Sequence, residues 1–170
     1  MNPRDRRVLS DLRSMEELAE RGVVAFRTEG NPPEIFHLMF EAPGLAKQGP
    51  SALTVRSMHR CDVYLHRDYP RRPPVFAWQT PIFHPNILGP ESNGGVCIGS
   101  WSASESLADL TVRIIALASY RAFNADDPLN REAAEWIIEN DVAAPADVNA
   151  LARLPLGPGV AVTIAGGVSR

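Results

Sequence analysis

The stretch Tyr69 to Ile98, YPRRPPVFAWQTPIFHPNILGPESNGGVCI, constrains the chain more than any other. Proline recurs at positions 70, 73, 74, 81, 85 and 90. Each proline fixes φ and removes a backbone donor, so the run reads as a rigid track of loops. Only Val75 to Trp78 fits a strand, at a sheet edge where the preceding prolines are tolerated. The track then passes His84-Pro85-Asn86 and ends in a polar, glycine-rich loop carrying Cys97. It sets a thiol at its far end and an amide side chain a short loop earlier.

The remaining chain must supply one core to hold that track. Its 170 residues suit a single domain. A net charge of -3 gives no field that would draw it to nucleic acid. Cys61 and Cys97 are far apart and no CxxC occurs, so neither a disulfide framework nor a zinc site is indicated. A reducing compartment is expected. The start, MNPRDRRVLSDL, lacks the apolar core of a signal peptide, and no stretch suits a bilayer span. The expected location is cytoplasmic, with no membrane partner.

Asn2 caps and Pro3 opens a helix in which Val8, Leu12, Met15 and Ala19 share a face, stopped at Gly22. Arg4, Arg6, Arg7 and Arg13 lie mainly off that stripe. They read either as a solvated face or as a docking surface for an acidic partner. From Val23 the period changes to two, with strands at Val23 to Thr28, Ile35 to Phe40 and Ser51 to His66. Ala42-Pro43-Gly44 is expected to stop the second strand. Cys61 alternates with the inward residues Val63 and Leu65 and reads as a small core residue. With Val75 to Trp78 this makes a four-stranded antiparallel meander. A long helix follows Ser104, its expected cap, with Leu107, Leu110, Ile114 (or Val112), Leu117 and Ala118 facing the sheet. Asn130 caps a shorter helix to Asn140, with Ala133, Ala134, Ile137 and Ile138 inward. The fold class is therefore α+β.

That order of parts carries a set of motifs. They are Tyr69-Pro70 with Pro73-Pro74, Ile82-Phe83-His84-Pro85-Asn86-Ile87, Gly95-Val96-Cys97-Ile98, Trp101-Ser102 and Asp126-Asp127-Pro128-Leu129. Together they resemble the ubiquitin-conjugating enzyme family over about Pro3 to Asn140. The resemblance implies the family's UBC-like fold and a cysteine-dependent acyl transferase. It implies that Cys97 accepts a ubiquitin-like protein as a thioester from an activating enzyme and passes it to a lysine of a target, engaged directly or otherwise. No metal or cofactor is expected on this chain.

The chemistry agrees with the motif. A thioester resists water yet reacts with amines, and it requires a nucleophilic thiol. Gly94, Gly95 and Gly99 around Cys97 leave room for a bulky protein tail. Asn86 either donates to the oxyanion or fixes the neighbouring loop. Asp127 either orients the incoming lysine or serves as a turn residue. His84, Pro85, Asp126 and Trp101 are the expected support of the site, with His84 structural. Arg4, Arg6, Arg7, Arg71, Arg72, Ser102 and Ala103 are the expected partner-binding residues. A non-catalytic binding module of the same fold is the alternative. A cysteine hydrolase would need His84 as its base.

Several positions depart from the family pattern. Eleven positions separate Asn86 from Cys97, and the insert Leu88 to Asn93 lies beside the site. The step from Cys97 to Trp101 is short. Arg71 stands where a ligase-binding phenylalanine is common, and Ala103 where proline is common. Such divergence is similar to carriers of bacterial ubiquitin-like conjugation operons, which would imply antiviral defence. Residues 1–141 are expected to form the catalytic domain. Residues 142–170 read as a Pro/Gly/Ala-rich extension, with a short helix within Ala143 to Leu154 and an apolar run Val160 to Ala165 that pairs as a strand, covers apolar surface or docks a partner. Gly166-Gly167 reads as coincidence.

Overall fold

The structure is a computed structural model that describes residues 1–156. Helix α1 spans Pro3–Glu20, and the Asn2 side chain accepts the Asp5 N–H at 2.8 Å, so the expected cap forms. Four strands follow in a meander of order β1-β2-β3-β4: Ala25–Glu29, Ile35–Gln48, Ala52–Tyr64 and Val75–Trp78. Helix α2, Leu107–Ala118, then crosses the sheet, and α3 (Arg131–Glu139) and a short α4 (Val148–Leu151) complete the elements of the described residues. Among the described residues, no helix is long and apolar enough to cross a membrane.

Three local expectations need correction. Strand β2 does not stop at Ala42-Pro43-Gly44 but runs on to Gln48. The register breaks between Glu41 and Gly44, and a β-bulge absorbs the proline that cannot donate to the ladder. The cap of α2 is Ser106, which accepts the Asp109 N–H at 3.0 Å, and not Ser104. Ser104 instead pairs its hydroxyl with Ser102, inside a turn closed by Glu105 N–H to Ser102 O at 3.0 Å. On α3, Ile138 faces solvent at 65% exposure while Trp136 is buried. Trp136 lies three residues after Ala133, on the inward face, and buries more apolar surface than an isoleucine at 138 could.

The bulge splits the core. Before it, Phe36, Leu38 and Phe40 join Cys61, Val63, Trp78 and the inward faces of α1 and α2. Beyond it, Leu45 and Leu53 join Phe83, Tyr120, Trp136, Ile137, Val148, Leu151 and Leu156. Gly44 sits at the join, where a Cβ would lie 2.7 Å from the Ala118 carbonyl oxygen, so only glycine lets α2 approach this closely. Residues 142–156 pack on the second cluster, and Trp136 Nε1 donates to Pro155 O at 2.9 Å. The run Val160 to Ala165 and the pair Gly166-Gly167 lie outside the described residues.

Candidate active site

After β4 the chain enters the core beside β2, with Phe83 N–H bonded to Leu45 O at 2.7 Å. Asn86 to Leu88 then pair with Gly95 to Cys97 as a small hairpin. Cys97 N–H donates to Asn86 O at 2.9 Å, Ile87 pairs with Val96, and Leu88 N–H donates to Gly95 O at 2.8 Å. The insert folds as the tip of this hairpin. It contains one 3₁₀ turn, Pro90–Ser92, and left-handed Asn93, whose side chain accepts the Gly95 N–H at 2.9 Å. Gly94 carries the return strand against β4: its carbonyl accepts the Trp78 N–H at 2.8 Å, and a Cβ there would lie 2.4 Å from Trp78 N. The extra residues thus add to the hairpin tip and leave Cys97 paired with Asn86.

The loop carrying Asp126 and Asp127 is tied to the same dipeptide. Asn86 Nδ2 donates to Asn124 O at 2.7 Å, and Asn86 Oδ1 accepts the Asn124 N–H at 2.8 Å. Pro85 O accepts both Leu129 N–H at 2.8 Å and Asn130 N–H at 3.0 Å. Asp126 and Asp127 are exposed between these two anchors, and Cys97 hangs from Asn86 on the other side. Asn124 was not legible as a site residue. Asn86 bonds its backbone, which no side-chain type encodes. Cys97 is a half-buried free thiol, whereas Cys61 is buried and desolvation pushes its thiol up.

His84 lies beneath this junction. Its Nδ1 accepts the Asn86 N–H at 3.0 Å, which places the ring proton on Nε2. Its ring stacks edge-on against Tyr120 at 4.8 Å between centroids. Full burial pushes its pKa down to about 3, opposed only weakly by the Leu117 and Ala122 carbonyls, which do not reach hydrogen-bonding geometry with Nε2. His84 is therefore a neutral support. With no hydrogen bond to Cys97 and a depressed pKa, it does not supply the base a cysteine hydrolase requires.

The expected partner-binding residues divide by exposure. Arg71 and Arg72 are 82% and 75% exposed and flank Asp68. Ser102 and Ala103 are exposed beside them, because Trp101 Nε1 donates to Pro70 O at 2.8 Å and its ring lies 6.0 Å from Tyr69. Arg7 behaves differently. It bonds Asp11 at 2.8 Å, Tyr69 Oη at 3.1 Å and the carbonyls of Ala103 and Glu105. Arg4 donates to Leu65 O at 2.6 Å, and Arg6 remains exposed. Two of the three arginines thus face the protein. A groove of about 580 Å³ opens beside the insert, lined in part by Phe83, Leu88, Glu91, Leu129 and Glu132. Among the described residues, no three His, Cys, Asp or Glu side chains converge to hold a metal.

The chain is 38% identical over 87 residues to ubiquitin-conjugating enzyme E2 16 of Schizosaccharomyces pombe, covering 49% of this chain and 52% of that protein. It is 39% identical over 85 residues to ubiquitin-conjugating enzyme E2 pex4 of Dictyostelium discoideum, covering 48% and 54%. The match therefore spans about half the length of these two relatives. A ubiquitin-conjugating enzyme structure from Trypanosoma cruzi superposes with a TM-score of 0.59 at 21% identity, over 88% of this chain and 96% of that one, and so shares its fold. The family profile described as ubiquitin-conjugating enzyme matches residues 7–151. With that match across most of its length, the chain belongs to the ubiquitin-conjugating enzyme family.

Proposed function

We propose that this protein carries a ubiquitin-like protein as a thioester on Cys97 and delivers it to an amine. The observation that supports this reading is the junction at Pro85-Asn86, which binds the Cys97 hairpin on one side and the Asp126-Asp127 loop on the other. In the loading step the Cys97 thiolate attacks the thioester held by an activating enzyme. The new C–S bond forms on Cys97, and the activating enzyme's sulfur leaves as thiolate. In the transfer step a neutral lysine amine attacks the thioester carbonyl. The C–S bond breaks, an amide forms, Cys97 leaves as thiolate, and the amine's surplus proton passes to solvent.

Asn86 has a second amide N–H beyond the one given to Asn124, and we assign that donor to the oxyanion. One such donor lowers the barrier by about 3 kcal/mol in other enzymes. Asp127 offers an exposed carboxylate that draws in the lysine as its ammonium, which gives one proton to solvent before the neutral amine attacks. The partners are then the modifier, an activating enzyme and a target protein.

The test combines the protein with an activating enzyme, a ubiquitin-like protein and ATP. A conjugate that is cleaved by thiol reductant is expected, and Cys97→Ala should abolish it. Modifier binding with no conjugate under any pairing would favour the non-catalytic binding module instead.

A further inference from the structure

Cys97 enters its loop under a backbone hydrogen bond to Asn86, but its exit has no such support. Among the described residues, no backbone–backbone hydrogen bond involves Ile98 to Trp101. Gly99 adopts φ 74 with nothing within 4 Å of the place a Cβ would occupy. A segment so free of main-chain bonds should open easily. Two side chains hold it: Trp101 anchors its far end through Nε1 to Pro70 O, and Arg113 holds the part next to the thiol. Arg113 of α2 donates from Nη1 to Ile98 O at 2.6 Å and from Nη2 to Ser100 O at 3.0 Å. The same guanidinium is gripped by Glu105, with Nε to Oε1 at 2.7 Å and Nη2 to Oε2 at 2.9 Å. Glu105 is 17% exposed, and its own carbonyl accepts from Arg7. Arg113 lies between Val112 and Ile114 on α2, with its side chain 38% exposed.

We propose that Arg113, aimed by Glu105, is a positioning residue for Cys97. It fixes the carbonyls one and three residues beyond the thiol, and through them the direction in which sulfur presents the acyl group. The inference rests on Cys97 being the thioester carrier. It requires arginine in particular: a planar fork meets a carboxylate and two carbonyls at once, and a lysine ammonium cannot. Misplacing a reacting group by about 1 Å can cost about 10²-fold in rate.

The experiment measures single-turnover discharge of pre-charged protein to free lysine for wild type, Arg113→Ala, Arg113→Lys and the double variant Arg113→Ala/Glu105→Ala. The rate at saturating lysine should fall at least about tenfold in both single variants, with an unchanged half-saturating lysine concentration. The double variant should be no slower than Arg113→Ala. Wild-type discharge in either folded single variant, or full rescue by Arg113→Lys, overturns the proposal. Alkylation of uncharged Cys97 by iodoacetamide separates this from the failure of the thioester reading. If even the wild type does not charge, the thioester reading fails. The alkylation rate should still change at least about threefold in Arg113→Lys if the exit is freed, and an unchanged rate overturns the clamp. Should Arg113→Ala fail to fold, Arg113→Lys and Glu105→Ala carry both measurements.

Discussion

Asn86 shows how one side chain fixes a loop distant in sequence. It is 2% exposed, and its amide both donates to and accepts from the Asn124 backbone. Removing it takes away both hydrogen bonds to the part-buried Asn124 main chain, together worth about 1–3 kcal/mol. Asn86→Ala is therefore expected to lower urea-unfolding stability by about that amount. Unchanged stability would contradict the loop-fixing part of the account. A loss of lysine discharge beyond what the folded fraction explains would measure the oxyanion part separately. The sequence pointed to Asn86 through its motif. It was silent on Asn124, which lies 38 positions away and contributes only main-chain atoms.

Elements are joined here by polar contacts that hydrophobic periodicity does not register. The inward face of α1 carries Asp11 at 1% exposure among Val8, Met15 and Leu18. Its carboxylate accepts from Tyr69 Oη at 2.6 Å, from Arg7 Nε at 2.8 Å and from Leu107 N–H at 2.9 Å. One residue thus ties α1 to the proline track and to the first turn of α2, where the helix dipole favours a negative charge. Asp11→Ala strands the Arg7 charge and two donors, so a loss of about 3–5 kcal/mol is expected in urea unfolding. A loss under about 1 kcal/mol would mean that the network contributes little. The strands and helices themselves were legible, because alternation and 3.6-residue periodicity record which face is buried. The ends were not. Ser104 was the expected cap, but the turn at Ser102 engages its hydroxyl and Ser106 caps α2 instead. The bulge after Glu41 was hidden for a similar reason: Pro43 looks like a stop until a partner strand resumes beyond it.

At the scale of the molecule, three histidines contribute to how stability responds to acid. Burial lowers the pKa of His84 to about 3 and also depresses that of His59. The unfolded chain protonates both near their usual value of about 6.5 while the folded protein does not, so stability falls as pH drops below that point. Each such histidine contributes up to about 1.4 kcal/mol per pH unit. His37 acts in the opposite sense. The Asp62 carboxylate, and then Glu29, raise its pKa, with contacts of 2.6 and 2.7 Å. Its stabilisation is complete below the unfolded value and is lost as pH rises through the folded one. His37→Gln should therefore steepen the loss of stability on acidification from about pH 8 to about pH 5, as read by urea unfolding at each pH. A shallower profile would contradict the assignment. The meander was legible as a whole because its strands are neighbours in sequence. The junction of Cys97, Asn86 and the Asp126-Asp127 loop was legible only through the family's motifs. The central claim is that Cys97, and not Cys61, carries the acyl group. The most direct measurement charges wild type, Cys61→Ser and Cys97→Ala with activating enzyme, ubiquitin-like protein and ATP, and locates the adduct by peptide mass spectrometry. The account predicts a reductant-labile adduct on the Cys97 peptide in the first two proteins and none in the third. Charging of Cys97→Ala, or an adduct on the Cys61 peptide, would contradict it.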